Sequence, residues 1–380
     1  WPKFSNTEIK EIISVIKSGK VNYWTGSKGK LFEKEFSNYH KIKYCTSVAN
    51  GTLALDLAIK SLKLPKNSKV LVTPRSFIAS ASIVINNGLI PIFCDIDFNS
   101  QNISANEIEK KFDKNVKALI LVHLGGYPAQ MDEIMNFIKK RKIYLIEDCS
   151  QAHGAKYKNK FVGTFGHIST WSFCQDKIIT TLGEGGMVAT NELKFDNFIK
   201  RYRDHGKNFK KLNLKKNDNN SFKYIHDFEG SNYRMTEVQS VAGIIQLKNL
   251  NYSLKIRNKF AERYINNLKN CSQIIFPLKS EKIYHAYYKL YFYLKTENLR
   301  ITRDDFILSL REMNVECFSG ACPEIYLEKS FAKFQPIKRL KVAKKIGNIS
   351  VMLLVDPTQN LKKKNLNSKK ILRLIKDNVK

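Results

Sequence analysis

The sequence predicts an α/β protein: a largely parallel sheet covered by helices on both faces, followed by a smaller α+β domain. Continuous apolar runs such as "VKALILVHLGG" and "IYLIEDCS" alternate with amphipathic segments such as "MDEIMNFIKKRK". Strands buried on both faces read this way, because both sides of the sheet must be apolar. The length of 380 residues exceeds one simple core, and 43% hydrophobic residues suffice to bury two. Beyond about residue 245 an aromatic run and polar helices replace the alternation, so 1–245 and 246–380 read as a large and a small domain.

Each element has a local reason. In "FSNTEIKEIISVIKSGK", Ser5 and Glu8 stand three apart before an apolar helical rhythm, the pattern of a capping box. A loop, "VNYWTGSKGK", leads into a short helix containing "FEKEF". Asn50-Gly51-Thr52 opens the next helix, "SKVLVTP" is a strand, and "FIASASIVINNG" is a helix stopped at Gly88. The strand "LIPIFCDID" precedes "SANEIEKKF", where Ser104 and Glu107 predict a second capping box. "FGHISTWSF" and "GGMVAT" are two further strands. The polar stretch "GKNFKKLNLKKNDNNSFKYIHDFEGSNY" is expected to be a mobile or partner-facing loop. Thr236 and Gln239 cap one long helix through "MTEVQSVAGIIQLKNLNYSLKIRNKFAERY". An aromatic strand "YHAYYKLYFYL", the helix "TRDDFILSLREM" and a terminal helix complete the small domain.

Composition excludes several function classes. No run reaches the roughly 20 apolar residues that span a bilayer. Seven scattered cysteines without a C-x-x-C pair read as reduced thiols of a cytoplasmic protein. No cluster has zinc or calcium-loop spacing, so no metal is expected, and neither phosphate-loop fingerprint occurs. The net charge of +31 is spread along helix faces as lysine, which reads as a solvated basic surface; it would still attract anions such as a nucleotide diphosphate.

The run "SFCQDKIITTLGEGGM" places Lys177 at the end of a core strand, beside glycines that let a backbone approach a ligand. An ammonium is costly there unless paired or converted into a Schiff base. Asp148 ends an apolar strand and offers a carboxylate at the sheet's carboxyl edge, as a pyridinium nitrogen requires. The helix start at "NGTLAL" offers backbone donors for a phosphate, Ser172 a hydroxyl, and Phe77 an aromatic face.

These residues resemble the sugar-nucleotide aminotransferases of the DegT/DnrJ/EryC1/StrS family, pyridoxal-phosphate enzymes of fold type I. The motifs "FEKEF", "NGTLAL", "VHLGGYPAQMDEI", "EDCSQAHGA", "GEGGM", "RDHG" and "NYRMTEVQ" occur in that order over nearly the whole chain. The resemblance implies that Lys177 forms the internal aldimine with pyridoxal 5'-phosphate and shuttles a proton. It implies that Asp148 pairs with the ring nitrogen, that Gln151 lies by the ring and its 3-hydroxyl, and that Phe77 stacks on it. Gly51, Thr52 and Ser172 would contact the phosphate, and Asn232 the phosphate of a neighbouring subunit's cofactor, which implies a homodimer with shared sites. The reaction implied moves an amino group from L-glutamate to a C3 or C4 keto group of a nucleotide-linked deoxyhexose, in amino-sugar biosynthesis for surface polysaccharide or a glycosylated metabolite.

A non-aminating branch of that family carries histidine where this chain has Lys177. "VMLLVDPT" departs from the family's "LP-x-H-P", with Leu354 and Asp356 in place of proline and histidine. Trp24 and His285 are expected on the substrate side, while His153 and His205 read as structural histidines. The rival reading is an idle aminotransferase fold that binds nucleic acid or an anionic membrane through its basic surface. A binding module has no use for Lys177, Asp148, Gln151 and Ser172 together, so neither nucleic acid nor membrane is expected as a partner.

Overall fold

The alternation of strand and helix is realised as one seven-stranded sheet in a computed structural model that describes residues 1–213 and 224–380. Its strands are β1 (Tyr44–Val48), β2 (Lys69–Val72), β3 (Ile90–Phe93), β4 (Val116–Val122), β5 (Tyr144–Asp148), β8 (Ile168–Ser172) and β9 (Gly186–Thr190). Their order is β1-β9-β8-β5-β4-β2-β3. The five strands from β8 to β3 are parallel, whereas β9 runs antiparallel between β8 and β1. The predicted sheet is thus mixed but mostly parallel.

Helices cover both faces: α1 (Asn6–Lys17), α2 (Lys28–His40), α3 (Gly51–Ser61), α4 (Ala79–Asn86), α5 (Ala105–Lys111), α6 (Met131–Arg141), α7 (Leu193–Arg203), the short α8 (Phe209–Asn213) and α9 (Glu237–Lys248). Alternate residues of each strand serve opposite cores. Val70, Val72, Ile120 and Ile146 pack with Leu55 and Ile59 of α3 and Val84 of α4. Leu71, Leu119, Leu121 and Leu145 pack with Ile134 and Ile138 of α6.

A short hairpin, β6 (Lys156–Tyr157) and β7 (Lys160–Phe161), pairs with β11 (Ile283–Tyr284). The C-terminal part holds an antiparallel sheet in the order β10 (Ile274–Ile275), β12 (Leu290–Leu294), β14 (Ser350–Leu353), β13 (Cys317–Phe318). Helices α10 (Leu250–Leu268), α11 (Arg303–Glu312) and α13 (Leu361–Asp377) pack on it through Phe260, Leu310 and Ile371, while α12 (Lys341–Ile349) joins the core of the large sheet through Ala343 and Ile346.

The first and third predicted capping boxes form, at Ser5/Glu8 and Thr236/Gln239. The second forms by half: Ser104 accepts from Glu107 N, but the Glu107 carboxylate turns to Lys110 Nζ. The long helix predicted from Thr236 breaks at Asn249, which separates α9 from α10. The aromatic run is also divided, because Tyr287 has φ +45° and Ala286 N bonds to Gly126 O between β11 and β12. Strand β1 is absent from the sequence reading. The predicted polar loop is described only at its ends, where it carries α8; residues 214–223 lie outside the described residues. No helix among the described residues is long and apolar enough to cross a membrane.

Candidate active site

Two of the predicted residues, Asp148 and Ser172, end the adjacent parallel strands β5 and β8. Asp148 is the last residue of β5 and nearly fully buried. Its Oδ2 accepts from Ser80 Oγ at 2.8 Å and its Oδ1 from Ser150 N at 3.1 Å. Ser80 is in turn 3.1 Å from Ser76 Oγ. Three residues on, Gln151 Oε1 accepts from Gly125 N at 2.7 Å, which fixes the amide; among the described residues no acceptor takes its Nε2. The groups expected at a cofactor ring are therefore held by the chain's own hydrogen bonds.

The start of α3 and the end of β8 form a tight cradle. Asn50 caps α3 by accepting from Leu53 N at 2.9 Å. A Cβ added to Gly51 would lie 2.6 Å from Ser172 Cβ, and one on Gly186 2.5 Å from Asn50 O. Only glycines allow that approach. The first-turn amides of α3 thereby sit against Ser172, as a phosphate site requires. Thr52 and Phe77 are exposed, Phe77 by 66%.

Lys177 differs from its predicted place. Strand β8 ends at Ser172, and Lys177 stands five residues further on, in the turn before β9, with its amide bonded to Cys174 O. Its side chain is still 85% covered, as its 15% exposure shows. Nζ lies 3.3 Å from Asp176 Oδ1 and 3.4 Å from Tyr288 Oη.

Neighbouring Glu147, which the sequence does not separate from Asp148, has a different task. Its Oε1 accepts from Phe165 N (2.8 Å) and Gly166 N (2.6 Å), and its Oε2 from Gly163 N (2.7 Å). His123 Nδ1 accepts from Ala129 N at 3.1 Å, so the proton sits on Nε2 and is donated to Glu147 Oε2 at 3.1 Å. These atoms and Cys149 Sγ lie within 4.8 Å of one another, a metal-like grouping made by the fold and not by sequence spacing. The carboxylate and imidazole are already committed to protein donors, and burial pushes the Cys149 thiol up, so it stays protonated. The group is a clamp on the 163–166 turn.

The outer residues are placed less centrally. Asn232 is exposed, and its Oδ1 accepts from Arg234 N at 3.4 Å. Trp24 Nε1 donates to the buried Asp204 Oδ1 at 2.8 Å, and that carboxylate also binds Arg234 and Arg203. His285, expected on the substrate side, stacks on Tyr287 at 3.8 Å, and its Nδ1 accepts from Tyr287 N at 2.9 Å. Burial lowers its pKa to about 3, so it is neutral. It lines a cavity of about 490 Å³ whose walls include neither Lys177 nor Asp148. His153 is fully buried, in keeping with a structural role, and burial holds its imidazole well below the usual range. His205 takes a left-handed backbone conformation, φ +56°, in the turn after α7. Sequence reasoning missed Ser80, Tyr288 and Asp176. Asp176 stood inside the quoted lysine run, and Ser80 one helix turn from the Phe77 motif.

The model of the DegT/DnrJ/EryC1/StrS aminotransferase family matches residues 2–365. The chain belongs to that family. It is 36% identical over 280 residues to GDP-perosamine synthase of Escherichia coli O157:H7, covering 73% of each chain. It is 29% identical over 354 residues to dTDP-3-amino-3,6-dideoxy-alpha-D-galactopyranose transaminase of Aneurinibacillus thermoaerophilus, covering 93% of this chain and 91% of that one. The crystal structure of an aminotransferase from Psychrobacter cryohalolentis superposes with a TM-score of 0.95 at 40% identity, over 99% of this chain and 98% of that one. The fold is that of the fold type I aminotransferases, as the sequence implied. In this family member, the Gly51–Ser172 cradle, the oriented carboxylate of Asp148 and the fixed amide of Gln151 fit pyridoxal phosphate.

Proposed function

We propose that the protein is a pyridoxal-phosphate aminotransferase that takes an amino group from L-glutamate and delivers it to a C3 or C4 keto group of a nucleotide-linked deoxyhexose, for an amino sugar of a surface polysaccharide or glycosylated metabolite. The observation that carries the reading is an oriented buried carboxylate and a glycine cradle at the ends of the adjacent strands β5 and β8, with an 85% covered lysine amine five residues beyond β8. The names of the relatives, a GDP-perosamine synthase and a dTDP-amino-sugar transaminase, support the substrate class.

When bound, pyridoxal phosphate supplies the ring that draws electrons from the carbon losing its proton. Asp148, oriented by Ser80 and Ser150 N, would hold a proton at the ring nitrogen. Gln151 would direct its free Nε2 to the ring hydroxyl, and Gly51, Thr52 and Ser172 would hold the phosphate. Lys177 Nζ would bond the aldehyde at rest and move the substrate proton when freed, a task that needs its neutral form. Phe77 would cover the ring, and Asn232 would reach the phosphate in the neighbouring subunit of a homodimer. In this reading residues 1–245 form the large cofactor-binding domain and 246–380 the small C-terminal domain, with Trp24 and His285 on the substrate side.

Purified protein given pyridoxal phosphate is expected to turn yellow, and borohydride to fix the label on the Lys177 peptide. A panel of 3-keto and 4-keto sugar nucleotides with glutamate then identifies the acceptor, and Lys177→Ala abolishes turnover. Failure to take up the cofactor overturns the reading.

A further inference from the structure

The turn that carries Lys177 brings its nitrogen to two groups that no motif assigns. Tyr288 Oη donates to Asp176 Oδ2, and Lys177 Nζ lies against that hydroxyl, against Asp176 Oδ1, and 5.0 Å from the tyrosine ring centre. The ring of Tyr288 is buried, and its backbone is fixed from below. The buried Arg257 donates from NH1 to Tyr287 O at 3.4 Å and to Tyr288 O at 3.2 Å. Ala286 N binds Gly126 O, in the turn whose Gly125 N binds Gln151. The hydroxyl that meets Lys177 and the amide beside the predicted ring are therefore set by one piece of backbone. Asp176 is about half exposed, and Tyr288 gives its carboxylate a fixed direction.

We infer that Asp176 and Tyr288 form a dock for the free ammonium of Lys177, a positioning pair that receives the nitrogen whenever it is not bonded to cofactor. The inference rests on reading Lys177 as the cofactor-bonding lysine. A freed lysine has four rotatable bonds and a strongly hydrated charge, and left loose it samples many places from which no proton transfer is possible. The dock supplies one place. Burial and the neighbouring carboxylate push the Tyr288 hydroxyl up, so it keeps its proton for Asp176 and offers a lone pair to Lys177. Asp176 Oδ1 remains for the ammonium itself. Charged groups near this turn also include Lys289, Arg257 and the Trp1 ammonium, which oppose a further positive charge, and Asp356, which favours one and lies 4.0 Å from that ammonium. His153 stays neutral. Asp176 is thus the carboxylate in direct contact with Lys177, and removing it releases the nitrogen from that ion pair, so a reagent meets it undocked more often.

The test is pulse acetylation of the full chain with acetic anhydride, with and without added pyridoxal phosphate. Peptide mass spectrometry compares Lys177 with Lys279, whose side chain is 85% exposed. Without cofactor at neutral pH, Asp176→Asn is expected to speed acetylation of Lys177 about fivefold, the upper range for a partly exposed ion pair. Tyr288→Phe keeps the ring and raises it about twofold, as loss of one hydrogen bond implies. Asp176→Glu returns it to near the wild-type value. Rates at Lys177 that match wild type in both the Asn and Phe variants overturn the dock. Cofactor protection of Lys177 in the wild type separates the two ideas: absent protection defeats the reading of Lys177, whereas protection with unchanged variant rates defeats the dock alone.

Discussion

The inner and outer parts of the candidate site are built differently. At the inner edge Asp148, Gln151 and the Gly51–Ser172 cradle are buried or tightly packed, and each is held by partners from the same chain. At the outer edge Thr52, Phe77 and Asn232 are exposed and held by little. Groups aimed at a developing charge act best when oriented before the ligand arrives, because no reorganisation then opposes the reaction. The outer groups are those whose proposed partners lie outside one chain: a cofactor face, a phosphate, a second subunit.

The largest expected effect separates the two adjacent carboxylates of β5. Glu147→Ala takes the acceptor from the buried His123 donor and Gly163 amide and from the partly buried amides of Phe165 and Gly166, which is expected to cost about 3–5 kcal/mol of folding stability. Denaturant unfolding should show it as a lower midpoint; a midpoint like that of the wild type would mean that the 163–166 turn is held by something else. Asp148→Asn keeps the shape: its Oδ1 can still accept from Ser150 N, while the Ser80 hydroxyl can turn to accept from Nδ2. Stability should therefore hardly change, while turnover falls about 10² to 10³-fold through loss of one oriented charge. If Asp148→Asn instead unfolds the chain with turnover per folded molecule intact, the inner edge is a scaffold only.

Asn232→Ala tests the outer edge. Asn232 is exposed, so the midpoint should stay put, while cofactor affinity falls about tenfold for one lost hydrogen bond to a charged group. Refolding a mixture of Asn232→Ala and Lys177→Ala chains sharpens the point. If sites are shared, hybrid dimers hold one intact site, so random mixing returns wild-type cofactor affinity to about a quarter of all sites, read at a cofactor concentration that leaves Asn232→Ala homodimers mostly empty. No recovery would place Asn232 in its own subunit's site or in none.

The large sheet was legible because buried parallel strands write continuous apolar runs, and the inner residues because they end those strands. Glu147 and Asp148 are equivalent in sequence; only the turn at Gly163 to Gly166, brought back against β5, tells them apart. Lys177 was found as a residue but misplaced, since a lysine after an apolar run does not reveal that β8 stops at Ser172. Tyr288 lies 111 residues from Lys177, and no local pattern records that meeting. The surroundings of His285 were not legible either. The left-handed bend at Tyr287 that turns it into a stacked, neutral ring leaves no mark in composition.

A pH-dependent effect lies beneath the inner edge. His40 is buried among Phe36 (4.1 Å, stacked), Trp171 of β8 (5.3 Å) and Phe161 (5.6 Å). Its Nδ1 lies 3.3 Å from Phe36 O, and its Nε2 has no partner among the described residues. Burial lowers its pKa to about 3 from the ordinary 6.5. Between those values the unfolded chain binds a proton that the native chain refuses, so stability falls as pH drops below 6.5 and reaches its full loss near 3. At pH 5 the loss from this one group is about 2 kcal/mol. His40→Phe keeps the aromatic packing and removes the titration. Its melting temperature at pH 7 should match or slightly exceed the wild type, since one unsatisfied nitrogen is gone. Between pH 7 and pH 5 it should fall by a few degrees less than the wild type does. Equal falls in both proteins would move the acid sensitivity to His285 and His153, and with it the weak point from the support of β8 to the turn around Tyr287.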